Sequence, residues 1–178
     1  GYFACAALAG LVSGVTPQQG LTNVSLSGFD DASRSADFFN ASQLNTMAGA
    51  GVWIVTESPT GVIYTRHGLT SDVTDLQHRE EVLRRNLDSI SYQFLSGLED
   101  LIGRANVTQP LLDLMRYRIE SKVKVLQSQG STQLLGGQLI SGTISVLQQH
   151  PLFADRVEVL LDLVLPAPLN NVMLHLVA

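Results

Sequence analysis

Residues able to do chemistry are few in this chain, and they are scattered. Four histidines, His67, His78, His150 and His175, share no ligand spacing, and the single cysteine, Cys5, offers neither a disulfide nor a Cys/His zinc cluster. Cys5 reads as a small core residue. Asp30 and Asp31 pair two carboxylates in a polar, turn-like stretch, where a solvated loop outweighs a metal site. Arg66-His67 follows a β-type segment; a role in a site is open, but an imidazole satisfying nearby carbonyls is the plainer reading. Gly136-Gly137 lacks the Gly-x-Gly-x-x-Gly spacing and precedes a strand pattern, so it signals a loop. There is no Gly-x-Ser-x-Gly elbow. With no nucleophile, metal set or phosphate loop, the sequence points to no cofactor and no enzyme, unless the fold combines distant residues.

Composition points to assembly instead. The 178 residues fit one domain with a sizeable core. They are 45% hydrophobic and only 15% charged, below the roughly 25% charge usual for soluble domains, which suggests that partners cover part of the surface. A net charge of −5 and the lack of a basic run argue against nucleic acid. No apolar segment approaches the roughly 20 residues that cross a bilayer, so no membrane insertion is expected. Three glycosylation-type triplets begin at Asn23, Asn40 and Asn106, and carry little weight without a signal peptide. A start at Gly1 without methionine suggests a piece of something longer.

The elements follow from periodicity. Residues 1–14 read as a short helix rich in small residues; it has no polar face and is expected to be buried against the sheet or a neighbouring subunit. Residues 21–28 alternate weakly, as a short strand. Residues 41–48 form a helix with Asn40 as a cap and Gly49-Ala-Gly51 at its end. Residues 52–56 and 62–65 are β-branched and aromatic around Pro59 and Gly61, which predicts a hairpin with Trp53 and Tyr64 as a stabilising pair. Thr74-x-x-Gln77 is a capping-box pattern, and Leu83, Leu87, Ile90, Phe94, Leu98 and Leu101 then predict one long helix to about Gly103. Its other face, with Arg79, Glu80, Arg84, Arg85, Asp88 and Glu99, reads as wet surface or an intersubunit contact. Thr108 caps a second helix with Pro110 in its first turn, apolar along Leu111, Leu112, Met115, Ile119, Val123 and Leu126, and stopped by Gly130. The short link predicts antiparallel packing or a modest crossing angle. Arg118 and Lys122 lie at the edge of that apolar face, either snorkelling from the core or forming a basic stripe for an acidic protein partner.

Ile140, Ile144 and Val146 alternate with serine and threonine in a strand. After His150-Pro151, Val157, Val159, Leu161, Leu163 and Leu165 alternate with Glu158 and Asp162 in another, expected to be buried. Pro166-Ala-Pro168 makes an immediate tight hairpin less favourable, and a further alternating run, Val172, Leu174 and Leu176, needs an edge to pair with, which a neighbouring subunit would supply. Without a βαβα rhythm the pattern predicts an α+β domain: a mixed β-sheet with two long helices packed on one face and an extended C-terminal arm.

Five stretches in order, Gly1-Tyr-Phe-Ala-Cys-Ala-Ala-Leu-Ala-Gly-Leu11, Pro17-Gln-Gln-Gly-Leu-Thr-Asn23, Gln43-Leu-Asn-Thr-Met-Ala-Gly-Ala-Gly-Val-Trp-Ile54, Tyr64-Thr-Arg-His-Gly-Leu-Thr70 and Pro168-Leu-Asn-Asn-Val172, resemble the C-terminal region of contractile phage tail sheath proteins. The resemblance spans nearly the whole chain and implies a non-enzymatic structural subunit. It implies stacked hexameric rings around an inner tail tube, linked by terminal arms that add strands to a neighbour's sheet, and contraction that drives the tube through a host envelope. Residues 1–168 would be the core domain and 169–178 the donor arm, with Leu169, Asn170, Asn171, Val172, Leu174 and Leu176 as intersubunit residues and Pro166 and Pro168 as the hinge. The accepting edge would be the hairpin around Trp53 or the strand at residues 140–146. Such proteins hold the tube through a core-domain helix, and the wheel position of Arg118 and Lys122 assigns that contact to them. Implied partners are sheath subunits, the tube protein, and baseplate and terminator proteins; the implied location is the virion tail, assembled in the host cytoplasm. Family members run to several hundred residues, with outer domains and an N-terminal arm that these residues lack. Another tail component sharing the sheath core, a terminator or baseplate protein, is the second reading, and an α+β enzyme or ligand-binding domain the third.

Overall fold

The chain folds into helices and short antiparallel strands, in the α+β class that its periodicity predicts. A computed structural model describes residues 2–29, 32, 39–128, 135–170 and 172. It divides into two units: Gly1–Arg84 with Ala167–Ala178, and Arg85–Pro166. Among the described residues the strands make two separate antiparallel pairs, where the sequence suggested a single sheet.

In the first unit, α1 (Tyr2–Gly14) carries no charge, and none of its residues is buried. Tyr2 and Phe3 stack on each other in the open. The expectation of a buried helix fails within this chain because small apolar residues on every side leave no stripe to turn inward. Cys5 is likewise an exposed free thiol, not a core residue. Helix α2 (Ala41–Gly49) has the expected cap: Asn40 Oδ1 accepts from Gln43 N at 3.0 Å, and Gln43 Oε1 accepts from Asn40 N at 2.9 Å. Gly51 ends the turn at φ 82°, where a Cβ would sit 2.4 Å from the Thr70 carbonyl oxygen, so only glycine fits.

Strands β1 (Ile54–Glu57) and β2 (Ile63–His67) form the predicted hairpin, with a left-handed Gly61 closing its turn. The register sets Tyr64 opposite Thr56 while Trp53 lies before β1, so the Trp53–Tyr64 cross-strand pair does not form. Residues 21–28, read as a short strand, form no regular strand but an isolated bridge of Ser25 to Tyr64, with Asn23 N and Leu26 N donating to Thr65 O and Ile63 O, both at 2.8 Å, against the other edge of β2. The single long helix predicted from Thr74 is instead two. Asp75, not Thr74, caps α3 (Leu76–Arg79); the His78 N–H that it accepts holds its carboxyl below the ordinary carboxylate range. Glu80 is then extended and bridges Leu69 before α4 (Glu81–Leu98) begins. Tertiary pairing overrides helix propensity at that one residue.

In the second unit, α4 continues through Ile90 and Phe94, a 3₁₀ turn follows at Glu99–Leu101, and α5 (Gln109–Ser128) returns. Asn86 near the start of α4 bonds Gln138, which is tied to Leu126 at the end of α5, while Gly97 bonds Arg118 earlier in α5. The two helices are therefore antiparallel. Their apolar residues Ile90, Phe94, Ile119, Val123 and Leu126 form the core with Leu139. Strands β3 (Ser141–Gln149) and β4 (Val157–Val164) cover it, with Ile144, Val159, Leu161 and Leu163 packed inward. The expected burial of β4 is only half met: the odd-numbered residues are half-buried and Leu160 and Val164 stay exposed. A Cβ on Gly137 would lie 2.2 Å from the Gln127 carbonyl oxygen, so the glycine pair read as a loop signal marks a close backbone approach. Gly130, the predicted helix stop, lies outside the described residues, as do Asp30, Asp31 and His175.

Candidate assembly interface

Past β4 the chain passes Pro166 and Pro168 and rejoins the first unit. A Cβ on Gly20 would lie 3.2 Å from Pro168 Cβ, so the second proline rests where the facing residue has no side chain. Two residues on, Asn170 uses both ends of its amide. Its Oδ1 accepts from Thr22 Oγ1 at 2.7 Å, and its Nδ2 donates to Glu80 Oε2 at 3.0 Å. His67 Nε2 lies 2.8 Å from the same Oε2, and toward an ionised carboxylate it is the donor. Glu80 is 1% exposed. Its Oε1 has no hydrogen bond among the described residues, with Arg79 Nε 3.9 Å away.

This cluster corrects one expectation. Glu80, which the helix pattern puts on a wet surface or an intersubunit contact, is among the most buried side chains; the break between α3 and α4 turns it inward. Asn170, expected at an intersubunit contact, bonds Thr22 and Glu80 of its own chain. Leu169 and Val172 are 80% and 71% exposed, so both are available to a partner. Asn171, Leu174 and Leu176 lie outside the described residues. Thr22 and Gly20 lie in one of the stretches that carry the resemblance, but nothing local in the sequence ties them to Asn170 and Pro168, which are distant in the chain.

Both candidate acceptor edges are open among the described residues. One side of β2 is taken by β1 and the other by residues 23–26, which leaves the outer edge of β1 without a further strand. In the second pair, β3 and β4 have no other strand partner among the described residues, and Ile140 at the mouth is 60% exposed, its carbonyl accepting from Gln127 Nε2 at 3.1 Å. A row of unpaired backbone groups is what strand addition requires.

Arg118 and Lys122 line a cleft of about 360 Å³ between α4 and α5, with Gln93, Gly97, Tyr117 and Ser121. Arg118 is already engaged: Nη2 donates to Asp100 Oδ2 at 3.1 Å and Nη1 to Gly97 O at 3.2 Å. That contact raises the guanidinium pKa and holds the Asp100 carboxyl below its usual range. Phe94, Leu98, Leu111, Met115, Leu161 and Leu163 line an apolar groove of about 880 Å³.

The described histidines do not converge. His78 pairs with Asp75 at 2.8 Å and His150 Nδ1 accepts from Leu152 N at 3.2 Å. No group of three or more His, Cys, Asp or Glu among the described residues could hold a metal, and no described helix is long and apolar enough to cross a membrane.

The chain matches no protein-family profile, and no curated protein matches it in sequence. Its fold does match solved structures. It superposes on a chain of the anti-feeding prophage contracted helical sheath with a TM-score of 0.74 and 13% identity, over 98% of this chain and 49% of that one. A chain of the anti-feeding prophage baseplate gives 0.74 and 14%, over 97% and 48%. A sheath tail protein from Listeria innocua gives 0.60 and 15%, over 89% and 40%. The chain thus has the fold of contractile tail sheath proteins and spans about half of their length or less.

Proposed function

We propose, from a fold shared with contractile sheath proteins over nearly every residue, that this chain is the core region of a tail sheath subunit. The whole-chain superposition at a TM-score of 0.74 carries the reading. Subunits stack as hexameric rings around an inner tail tube, between a baseplate and a terminator, in a phage tail assembled in the host cytoplasm. The role is structural and needs no catalytic centre or cofactor. Contraction requires two states with different subunit contacts and links that survive the change. A backbone-paired arm meets that need, because its hydrogen bonds persist while a hinge at Pro166 and Pro168 reorients. Exposed Leu169 and Val172 and the open edges of β1 and of the β3–β4 pair support the arm. Arg118 and Lys122 face the tube; since Asp100 already matches Arg118, Lys122 supplies the greater part of the free charge. The match to a baseplate chain favours, as a second reading, a baseplate component built on the same core.

Negative-stain electron microscopy of the native full-length protein, expressed alone, tests the reading. Tubes or stacked rings of constant width are expected, and removing residues 169–178 is expected to leave a folded protein that no longer assembles. Deletion variants that assemble at normal yield would refute the arm, and binding confined to one end of a tail would select the baseplate reading.

A further inference from the structure

We propose that Glu80 is the positioning residue of the C-terminal arm, holding the arm's root through Asn170 so that the arm departs from one fixed point on its own subunit. The inference rests on the reading of residues 169–178 as an intersubunit arm.

A carboxyl group at 1% exposure needs donors, since burying it without them is costly. Glu80 draws them from two segments distant in sequence, His67 in β2 and Asn170 beyond β4, both on Oε2. The amide of Asn170 is spent on both sides, because its oxygen takes the Thr22 hydroxyl while its nitrogen faces Glu80. The root is thus held against two different segments, and Pro168 resting at Gly20 adds a third point just ahead of them. The geometry around Glu80 is built at the expense of helix continuity: its extended backbone separates α3 from α4 and directs the carboxyl to the root.

A fixed root matters for a donor strand. Residues 167–170, if released, add roughly 13 Å of reach in extended form. That play spreads the arm over a larger volume and lowers its effective concentration at the neighbour's edge. It also lets tension pass to the hinge instead of to the body of the subunit.

The test uses the native full-length protein carrying Cys5→Ser, with Val172→Cys as the position for a nitroxide spin label; Val172 is 71% exposed. Asn170→Asp keeps the side-chain shape but sets a second carboxylate against Glu80. It is expected to raise label mobility in the unassembled protein and to lower the assembled fraction by about tenfold. Adding Glu80→Gln gives the new carboxylate a donor, and is expected to restore both readouts, which a variant that merely misfolds would not do. Equal label mobility with and without Asn170→Asp overturns the proposal, as does a double variant no better than the single one. If removal of residues 169–178 leaves assembly intact, the arm reading has failed, and the label mobility still decides whether Glu80 fixes the root.

Discussion

Ile90, Ile119 and Leu126 fill the interior of the unit Arg85–Pro166, with at most 2% exposure each, and the groups around them are other apolar side chains on two helices and a ribbon. In the unit Gly1–Arg84 with Ala167–Ala178, Thr65 and Glu80 are as buried as Leu21, and the partners they bond include chain outside the helices and strands. Thr65 Oγ1 donates to Leu21 O and accepts from Val24 N at 3.3 Å, while Glu80 takes Asn170. The difference follows from what has to be held. A helix satisfies its own backbone and offers an apolar stripe, so burial of area suffices. An irregular segment offers no stripe and brings unpaired backbone groups, so it is held by directional bonds to buried polar side chains.

Ile119→Ala should show the largest effect. Truncating a side chain at 2% exposure removes contacts and leaves a cavity, a loss of about 2–5 kcal/mol in cores of this kind. Urea unfolding of the chain measures it as a lowered midpoint. Thr65→Val keeps volume and removes the hydroxyl, leaving Leu21 O without that donor, and should cost roughly 1–3 kcal/mol. Hydrogen exchange should then accelerate at residues 21–26 and stay unchanged in α5. If Thr65→Val proved as costly as Ile119→Ala, or loosened α5, the contrast between the two units would be wrong.

That contrast also explains what the sequence made legible. Elements with a period were readable: the spacing of Met115, Ile119, Val123 and Leu126 predicts α5 and its buried side, and Asn40 with Gln43 predicts the α2 cap. The hairpin was readable from Pro59 and Gly61. Contacts lacking a period were not. Glu80 sits where a helix pattern places a surface residue, and only the pairing of Leu69 with its backbone turns it inward. The arm expected at residues 169–178 is described only at Leu169, Asn170 and Val172, and nothing local in the sequence marks Thr22 or Gly20 as neighbours of its first residues. The apolar composition of α1 gives no direction for its burial, and none of its residues is buried within the described chain.

The smallest expected effect tests the apolar unit from its polar rim. Arg118 joins the turn after α4 to α5 through Asp100 and Gly97, yet both side chains of the ion pair are substantially exposed, and exposed pairs contribute little. Asp100→Asn should therefore leave the denaturation midpoint at neutral pH and moderate salt unchanged within error. The sign of its pH dependence is still fixed. Because Arg118 depresses the folded-state pKa of Asp100, the contribution is present above the unfolded value near 3.9 and is lost as pH falls through the lower folded value. At low ionic strength the parent protein and Asp100→Asn should differ slightly above that window and converge below it, and added salt should erase the difference. A large loss at neutral pH would instead make Arg118–Asp100 a clasp that the helix pair depends on. Directional bonds would then hold the turn of the second unit as they hold the irregular segments of the first, and Arg118 would not be free to serve a tube contact without loosening its own subunit.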